Sequence, residues 1–221
     1  MQQLIIMQGA SGSGKSTRAK EIARLVEAGE AVAVVDLGGT AQMLPGSDRQ
    51  RTSSATSLAS TALMLDQPLL ARRFATLRTL LGALRQRAEL KDSVVKLWGD
   101  SPVPAQPKAT VVPLDTALPP HAEPLGAHLA LLLALADPTI AEVRCTGGLA
   151  RWASLSAQAT VYLPYDAVVP GAISAGDWPA VVAVLDDRKV RLERLVDGLN
   201  RPVPLAEAKR LFGGGHVTIG E

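Results

Sequence analysis

Residues 9–16 carry the clearest chemical signal in the chain. They read Gly-Ala-Ser-Gly-Ser-Gly-Lys-Ser, a complete G-x-x-x-x-G-K-[ST] phosphate-binding pattern. Glycines let backbone N–H groups turn inward around a phosphate, and a helix that begins after the loop adds the positive end of its dipole. In such a loop the lysine reaches the β- and γ-phosphates and the next hydroxyl ligates Mg²⁺. We therefore predict a nucleoside triphosphate as partner, with ATP and Mg²⁺ as ligands.

The predicted site follows residue by residue from this pattern. Lys15 is predicted to be catalytic, and Ser16 to ligate the metal. The predicted nucleotide-binding residues are Gly9, Ala10, Ser11, Gly12, Ser13, Gly14, Lys15, Ser16 and Thr17.

Phosphoryl transfer also needs carboxylates and positive charge outside the loop. Asp36 ends a predicted strand and is the candidate catalytic base, while Asp115 is the candidate second metal ligand. Asp186 and Asp187 end another apolar run and are an alternative. Turn residues end strands in the same way, so the sequence leaves this choice open. The candidate arginines for charge stabilisation are Arg72, Arg73 and Arg78.

The segments around the motif predict a strand, a loop and a helix. Gln3–Gln8 is an apolar strand, and Lys15–Glu27 is an amphipathic helix that Gly29 ends. Ala31–Val35 is a continuous apolar run before Asp36, which is typical of a buried parallel strand. The first forty residues therefore predict a βαβ unit.

Strands and helices alternate through the rest of the chain. Helices are predicted at 69–91, Gly126–Ala136 and Lys189–Val196, with a loop or short polar helix at 45–61. Further strands are predicted at Val94–Trp98, Ala109–Leu114, Ile140–Cys145, Ala159–Leu163 and Ala180–Leu185. This alternation predicts a three-layer α/β fold with a mostly parallel sheet flanked by helices. The proline-rich residues 101–107 are a possible boundary within one domain that spans 1–221.

Composition limits the class of protein. Hydrophobic residues make up 47% of the 221 residues, and the formal net charge of +2 predicts no strong attraction to polyanions. A single cysteine excludes an internal disulfide and favours a reducing interior. The apolar run Leu129–Ala136 is too short to cross a bilayer, and the chain opens on strand and loop, not on a signal segment, so we expect a cytoplasmic protein. His121, His128 and His216 share no metal-ligand spacing; we expect His128 in the core and His216 in a flexible tail.

The opening strand, the motif and Ala19-Lys20-Glu21-Ile22-Ala23 resemble small P-loop kinases of the polynucleotide kinase and zeta-toxin-like groups, often carried by phages. The resemblance implies a P-loop NTPase fold and a base at Asp36. Some relatives in that group also carry a phosphatase domain, and Pro113-Leu114-Asp115, Thr146-Gly147 and Asp186-Asp187 follow its order of motifs, which implies a degenerate phosphatase-like half at 108–212.

A near-equal resemblance is to RecA-like phage ATPases, in which Val111–Asp115 would be the metal-binding strand. Three functions stay open. The first is transfer of the ATP γ-phosphate to a hydroxyl of a nucleotide or nucleic acid. The second is an oligomeric ATPase associated with DNA, and the third is a nucleotide-binding module with little turnover. DNA or RNA is thus a possible partner, and the oligomeric state is open.

Overall fold

The described part of the chain folds around one sheet of six parallel strands. The structure, a computed structural model, describes residues 3–9, 15–35, 37, 54–101, 124–157, 161–185 and 187–220. The strands are β1 Gln3–Gly9, β2 Ala31–Val35, β3 Val94–Asp100, β4 Ile140–Thr146, β5 Lys189–Glu193 and β6 Val217–Gly220. Their spatial order is β2-β1-β3-β4-β5-β6. The predicted α/β class with a parallel sheet flanked by helices is thereby confirmed.

The helices that the structure describes cover the two faces of this sheet unequally. The described helices are α1 Lys15–Glu27, α2 Ser54–Met64, α3 Leu69–Arg85, α4 Leu125–Ala136, α5 Ala172–Ala175, α6 Trp178–Ala183 and α7 Leu205–Phe212. Crossovers between parallel strands are almost always right-handed. The step from β1 to β2 runs one way along the sheet and every later step runs the other way. Consequently α1 packs on one face, while α3, α4, α6 and α7 pack on the opposite face.

The face under α3, α4, α6 and α7, here called the packed face, carries the main core. Its apolar strand residues include Val95, Leu97, Val143, Cys145, Val190 and Leu192. The start of α4 lies directly on β3, because a Cβ at Gly99 would be only 2.1 Å from the carbonyl oxygen of Gly126. Cys145 is fully buried beside this contact, and its Sγ donates to the carbonyl oxygen of Ala127 at 3.6 Å. Burial raises the pKa of the Cys145 thiol.

The opposite face, here called the open face, is polar beyond β3. Successive strand residues point to opposite faces, so Trp98, Arg144, Arg191 and Thr218 lie level across four strands of this face. α1 covers Trp98 through an apolar cluster. Farther along the sheet, Arg191 and Thr218 are exposed. Because parallel sheets are usually buried on both faces, it is unusual that the described helices cover only half of this face.

Several predicted elements are confirmed with small changes at their ends. These are β1, α1, β2, α3, β3, α4 and β4. A loop or a short polar helix is predicted at 45–61, and the described part of this segment is helical, because α2 begins at Ser54. The predicted strand Ala109–Leu114 lies wholly outside the described residues. Of the possible boundary at 101–107, only Ser101 is described, so the domain division stays a prediction.

Four predictions near the end of the chain are wrong. Ala180–Leu185 is not a strand, because α6 runs from Trp178 to Ala183; its start is capped by the Asp177 carboxylate, which accepts from the Trp178 N–H. Lys189–Val196 is not a helix but contains β5. Residues 161–163, the described end of the predicted strand Ala159–Leu163, are not in a strand. The predicted flexible tail ends in β6, which pairs with β5.

Candidate functional site at the carboxyl edge of the sheet

Polar residues gather where three neighbouring strands, β3, β4 and β5, end. In open α/β sheets, ligands bind outside the carboxyl ends of the strands at the point where the strand order reverses, which here lies between β1 and β3. Gly9 pairs with Asp100, Asp100 with Thr146, and Thr146 with Glu193. These strand ends are therefore level with one another. We define the carboxyl-edge cluster as Asp100, Thr146 and Glu193 together with the residue that follows each of them, Ser101, Gly147 and Arg194.

Most of the carboxyl-edge cluster is buried. The exposed fraction is 5% for Asp100, 0% for Ser101 and 8% for Glu193. Burying polar groups is costly unless they are hydrogen-bonded, and the backbone supplies such bonds. The Ser101 N–H donates to the carbonyl oxygen of Thr146 at 2.9 Å, and the Gly147 N–H donates to that of Glu193 at 2.9 Å. The ladder thus continues one residue past the strands and fixes the edge.

Gly147 allows two strand ends to approach each other closely. Its φ is +71°, in the left-handed region that favours glycine. A Cβ at this position would lie 2.7 Å from the Cβ of Ser101. Conformation and space therefore both require glycine after Thr146.

Glu193 is held as a carboxylate by two arginines. Arg144 Nε donates to Glu193 Oε2 at 3.1 Å, Arg144 Nη1 donates to Glu21 at 3.0 Å, and Arg191 Nε donates to Glu193 Oε1. The Arg144 guanidinium also stacks 4.2 Å from the centroid of the Trp98 ring. Burial acts to raise the pKa of Glu193, but the charges and hydrogen bonds of Arg144 and Arg191 hold it below its ordinary value. A carboxylate engaged in this way is a poor general base.

Arg194 crosses the carboxyl edge from β5 towards β3. Its Nη2 donates to the carbonyl oxygen of Ser101 at 3.2 Å. Its backbone has φ of 49°, which is uncommon for a residue other than glycine. Arg194 therefore places a positive charge over the ends of three strands.

A cavity of about 500 Å³ opens between the segments that follow β4 and β5. Its charged lining is mostly committed to the protein itself. Asp197 accepts hydrogen bonds from the backbone N–H groups of Leu199 and Arg201 and from Arg201 Nε at 2.8 Å. Arg151 Nε lies 3.6 Å from Asp177. Because these groups hold their own loops, we place the chemistry at the carboxyl-edge cluster and not in this cavity.

Neither described histidine adjoins the cluster. His128 is fully buried in α4, with its ring centroid 4.5 Å from that of Trp178 and 5.0 Å from that of Trp152. Burial lowers the pKa of His128 to about 3, and its ring nitrogens have no hydrogen-bond partner among the described residues. The predicted core position is confirmed, but without the hydrogen bonds of a satisfied side chain. His216 precedes β6 at the opposite edge, where Nε2 lies 3.2 Å from the carbonyl oxygen of Val182.

The structure describes only part of the predicted nucleotide site. Gly9 is the last residue of β1, and Lys15, Ser16 and Thr17 form the first turn of α1. The strand and the helix of the motif are thus present. The residues outside the described ranges are Ala10, Ser11, Gly12, Ser13, Gly14, Asp36, Asp115, His121 and Asp186. The roles predicted for the loop, for Asp36 and for Asp115 stay predictions.

The three arginines predicted to stabilise charge differ in their burial. Arg73 is 3% exposed and donates to Asp166 at 2.6 Å, whereas Arg72 and Arg78 are exposed on α3. Within the described ranges, no three His, Cys, Asp or Glu side chains are grouped to hold a metal. No helix in the same ranges is both long and apolar enough to cross a membrane.

Sequence reasoning missed most of the carboxyl-edge cluster. The predicted third strand ended at Trp98, two residues before Asp100, and Glu193 and Arg194 fell inside a predicted helix. The alternation of charged and apolar residues from Lys189 to Glu193 was the available signal, because it has the period of a strand.

Comparisons with known proteins give a fold and no family. No family model matches the chain, and no curated protein matches it. A solved structure of a putative acetyl xylan esterase from Bacteroides fragilis is similar, with a TM-score of 0.67 at 13% sequence identity. The match covers 99% of this chain and 58% of that chain. The chain therefore spans less than two thirds of the length of this structural neighbour, and the likeness shows the fold.

These findings correct the interpretation drawn from the motif. The resemblance to P-loop kinases and to RecA-like phage ATPases is wrong, as are the phosphoryl-transfer, ATPase and nucleotide-binding functions inferred from it, because the fold is shared with the Bacteroides fragilis protein and no P-loop family model matches. The motif fixes the residue types between one strand and one helix, and this local pattern does not determine the order of the strands in the sheet. Whether the chain binds ATP, Mg²⁺ or nucleic acid is a separate prediction, which neither the fold nor the comparisons test.

Proposed function

We propose that the chain is an ester hydrolase that acts at the carboxyl-edge cluster. The observation that carries the proposal is a row of buried polar groups at the reversal of strand order, in a fold shared over 99% of the chain with a putative acetyl xylan esterase. Binding at this point is the rule for open α/β sheets.

Ester hydrolysis by covalent catalysis needs a nucleophile and a base. Ser101 is fully buried, so its role is to position the edge. We expect the nucleophile to be Ser11 or Ser13, which follow β1 in the chain and whose placement lies outside the described residues. Asp100 is the candidate base or orienting carboxylate, because it pairs in register with Gly9, the last residue before that segment.

The proposed reaction has two steps. The serine oxygen attacks the ester carbonyl carbon while its proton passes through the base to the departing alcohol. Water then attacks the acyl-enzyme, which returns the proton to the serine and releases the acid. Donors around the carbonyl oxygen lower the barrier of both steps.

The test is an assay of the purified full chain on 4-nitrophenyl acetate and on acetylated xylan, with nitrophenolate and acetate as readouts. Ser11→Ala, Ser13→Ala and Asp100→Asn are compared with the control Ser60→Ala, a serine on α2. We expect one of the two serine variants, and Asp100→Asn, to lose about 100-fold or more in kcat, with no loss in the control.

Two results would overturn the proposal. One is turnover no faster than buffer on both substrates. The other is ester turnover that survives in both serine variants. Calorimetric titration with Mg·ATP in the same preparation examines the separate ligand prediction, and heat of binding without ester turnover would count against a hydrolase.

A further inference from the structure

The backbone at Arg194 is an outlier that residue type does not explain. Three residues other than glycine have positive φ in the described chain: Asp66 at 54°, Arg194 at 49° and Asn200 at 58°. Asp and Asn tolerate this region because their short polar side chains bond locally. Arginine does not have a short polar side chain of this kind, and glycine would form the same turn without strain. Strain of this kind collects at functional sites.

The Arg194 side chain also differs from the other arginines of the carboxyl edge. Arg144 is bound to Glu193 and Glu21, and Arg191 is bound to Glu193, so two carboxylates balance these two positive charges. Arg194 is exposed, and its bond to the Ser101 carbonyl is the one side-chain bond that it makes to the residues that the structure describes. A guanidinium has five N–H donors. Donors therefore remain for a ligand directly above the cluster.

We propose that Arg194 anchors an anionic oxygen group of the substrate, a carboxylate or a phosphate, and makes the site selective for negatively charged esters. The inference rests on the proposed ester hydrolase and names its substrate class. A guanidinium binds either group through two parallel charge-assisted hydrogen bonds. The bond to Ser101 holds the guanidinium near the end of β3, beside the point where the strand order reverses.

The kinetic test compares a neutral ester with an anionic one. The substrates are 4-nitrophenyl acetate and mono(4-nitrophenyl) succinate, and the variants are Arg194→Gly, Arg194→Lys and the control Arg87→Ala, an exposed arginine paired with Glu89. Arg194→Gly is expected to raise the KM for the succinate ester at least about tenfold more than it raises the KM for the acetate ester, whereas the control Arg87→Ala should leave kcat and both KM values within twofold. Arg194→Lys should recover part of the loss, because it keeps the charge but not the planar fork.

The folding control is built into the glycine variant. Because glycine relieves the positive φ, the Tm of Arg194→Gly should equal or exceed that of the wild type. A variant with unchanged KM for the anionic ester would overturn the proposal, since a purely structural arginine predicts that result.

A binding measurement separates this inference from the proposed function. Succinate and inorganic phosphate are titrated calorimetrically into the wild type and Arg194→Gly. Binding that the variant loses supports the anion site even if no ester is hydrolysed, in which case only the hydrolase proposal fails; the tighter ligand identifies the group. If neither anion binds and the KM values do not respond, the anion site is wrong even where ester turnover persists.

Discussion

The two faces of the sheet are made by the same strands and yet differ in cover and in chemistry. On β5, Leu192 is 1% exposed on the packed face. Its neighbour Arg191, on the open face, has a side chain that is 53% exposed. Buried parallel strands are usually apolar throughout. The alternation on β5 therefore matches a strand whose packed face is buried and whose Arg191 side chain remains exposed.

The difference between the faces arises from the direction of the crossovers. Right-handed connections that all step the same way must deliver their helices to one face. α1 belongs to the single step in the other direction, so it shields β1 and β3, and no other helix of the described residues covers β5 and β6 on that side. The charged strand residues follow from topology and need no separate explanation.

The largest loss of stability is expected from a substitution at the closest contact of the packed face, between β3 and α4. Gly99→Ala places a Cβ 2.1 Å from the Gly126 carbonyl oxygen, so α4 must move off β3. We expect a loss of more than about 3 kcal/mol in the free energy of unfolding, measured by urea denaturation. The matched control is Gly82→Ala in α3, where a Cβ meets nothing within 4 Å; it should stabilise by about 0.5–1 kcal/mol. Equal stability of Gly99→Ala and wild type would refute the close approach.

The next effect compares the two faces on one strand. Leu192→Ala removes a fully packed side chain and should cost about 3 kcal/mol of unfolding free energy. Arg191→Ala removes a half-exposed side chain whose partner Glu193 keeps its pair with Arg144, and it should cost less than about 1 kcal/mol. Both values come from the same denaturation experiment. Similar costs for the two variants would mean that the open face is covered in solution.

A smaller effect follows from the buried imidazole of the packed face. His128 stays neutral in the folded protein down to a pKa of about 3, whereas in the unfolded chain it titrates near 6.5. As the pH falls below 6.5, only the unfolded state gains this proton, so the folded protein loses stability by about 1.4 kcal/mol per pH unit. The loss should reach about 2 kcal/mol at pH 5.

The variant His128→Leu tests this directly, because it fills a similar volume and cannot titrate. Its unfolding free energy should vary less between pH 7 and pH 5 than that of the wild type. Parallel curves for the two proteins would mean that His128 is hydrated or charged in the folded state.

Sequence patterns predicted the first half of the sheet well because its signals are local. β1 and β2 are apolar runs bounded by glycine or charge, and α4 is an apolar segment of helical length. Two elements of the second half are predicted with the wrong type: the apolar end of α6 as a strand, and β5 as a helix. The prediction for β5 follows the many charged residues of this segment, although their alternation with apolar residues has the period of a strand. Asp177-Trp178-Pro179 is a helix start, with a capping carboxylate and an early proline, and the apolar run after it belongs to that helix.

The candidate site was less predictable, because it depends on which strands are neighbours. The motif at 9–16 placed one strand end and one helix start at an edge, and the structure has both. That Asp100 and Glu193 lie level at the same edge follows from register across three strands, which no local pattern specifies. Arg194 is a further step away, since its conformation is visible only in the folded backbone.

The single thiol under α4 can report how often the centre of the sheet opens. A reagent that alkylates cysteine cannot reach Cys145 while β4 and α4 stay together, and the raised pKa keeps the sulfur protonated and unreactive. Since the chain has no second cysteine, every labelling event reports the same opening at the centre of the sheet. The rate of Cys145 alkylation, followed by mass spectrometry, therefore measures how often β4 and α4 separate by local unfolding.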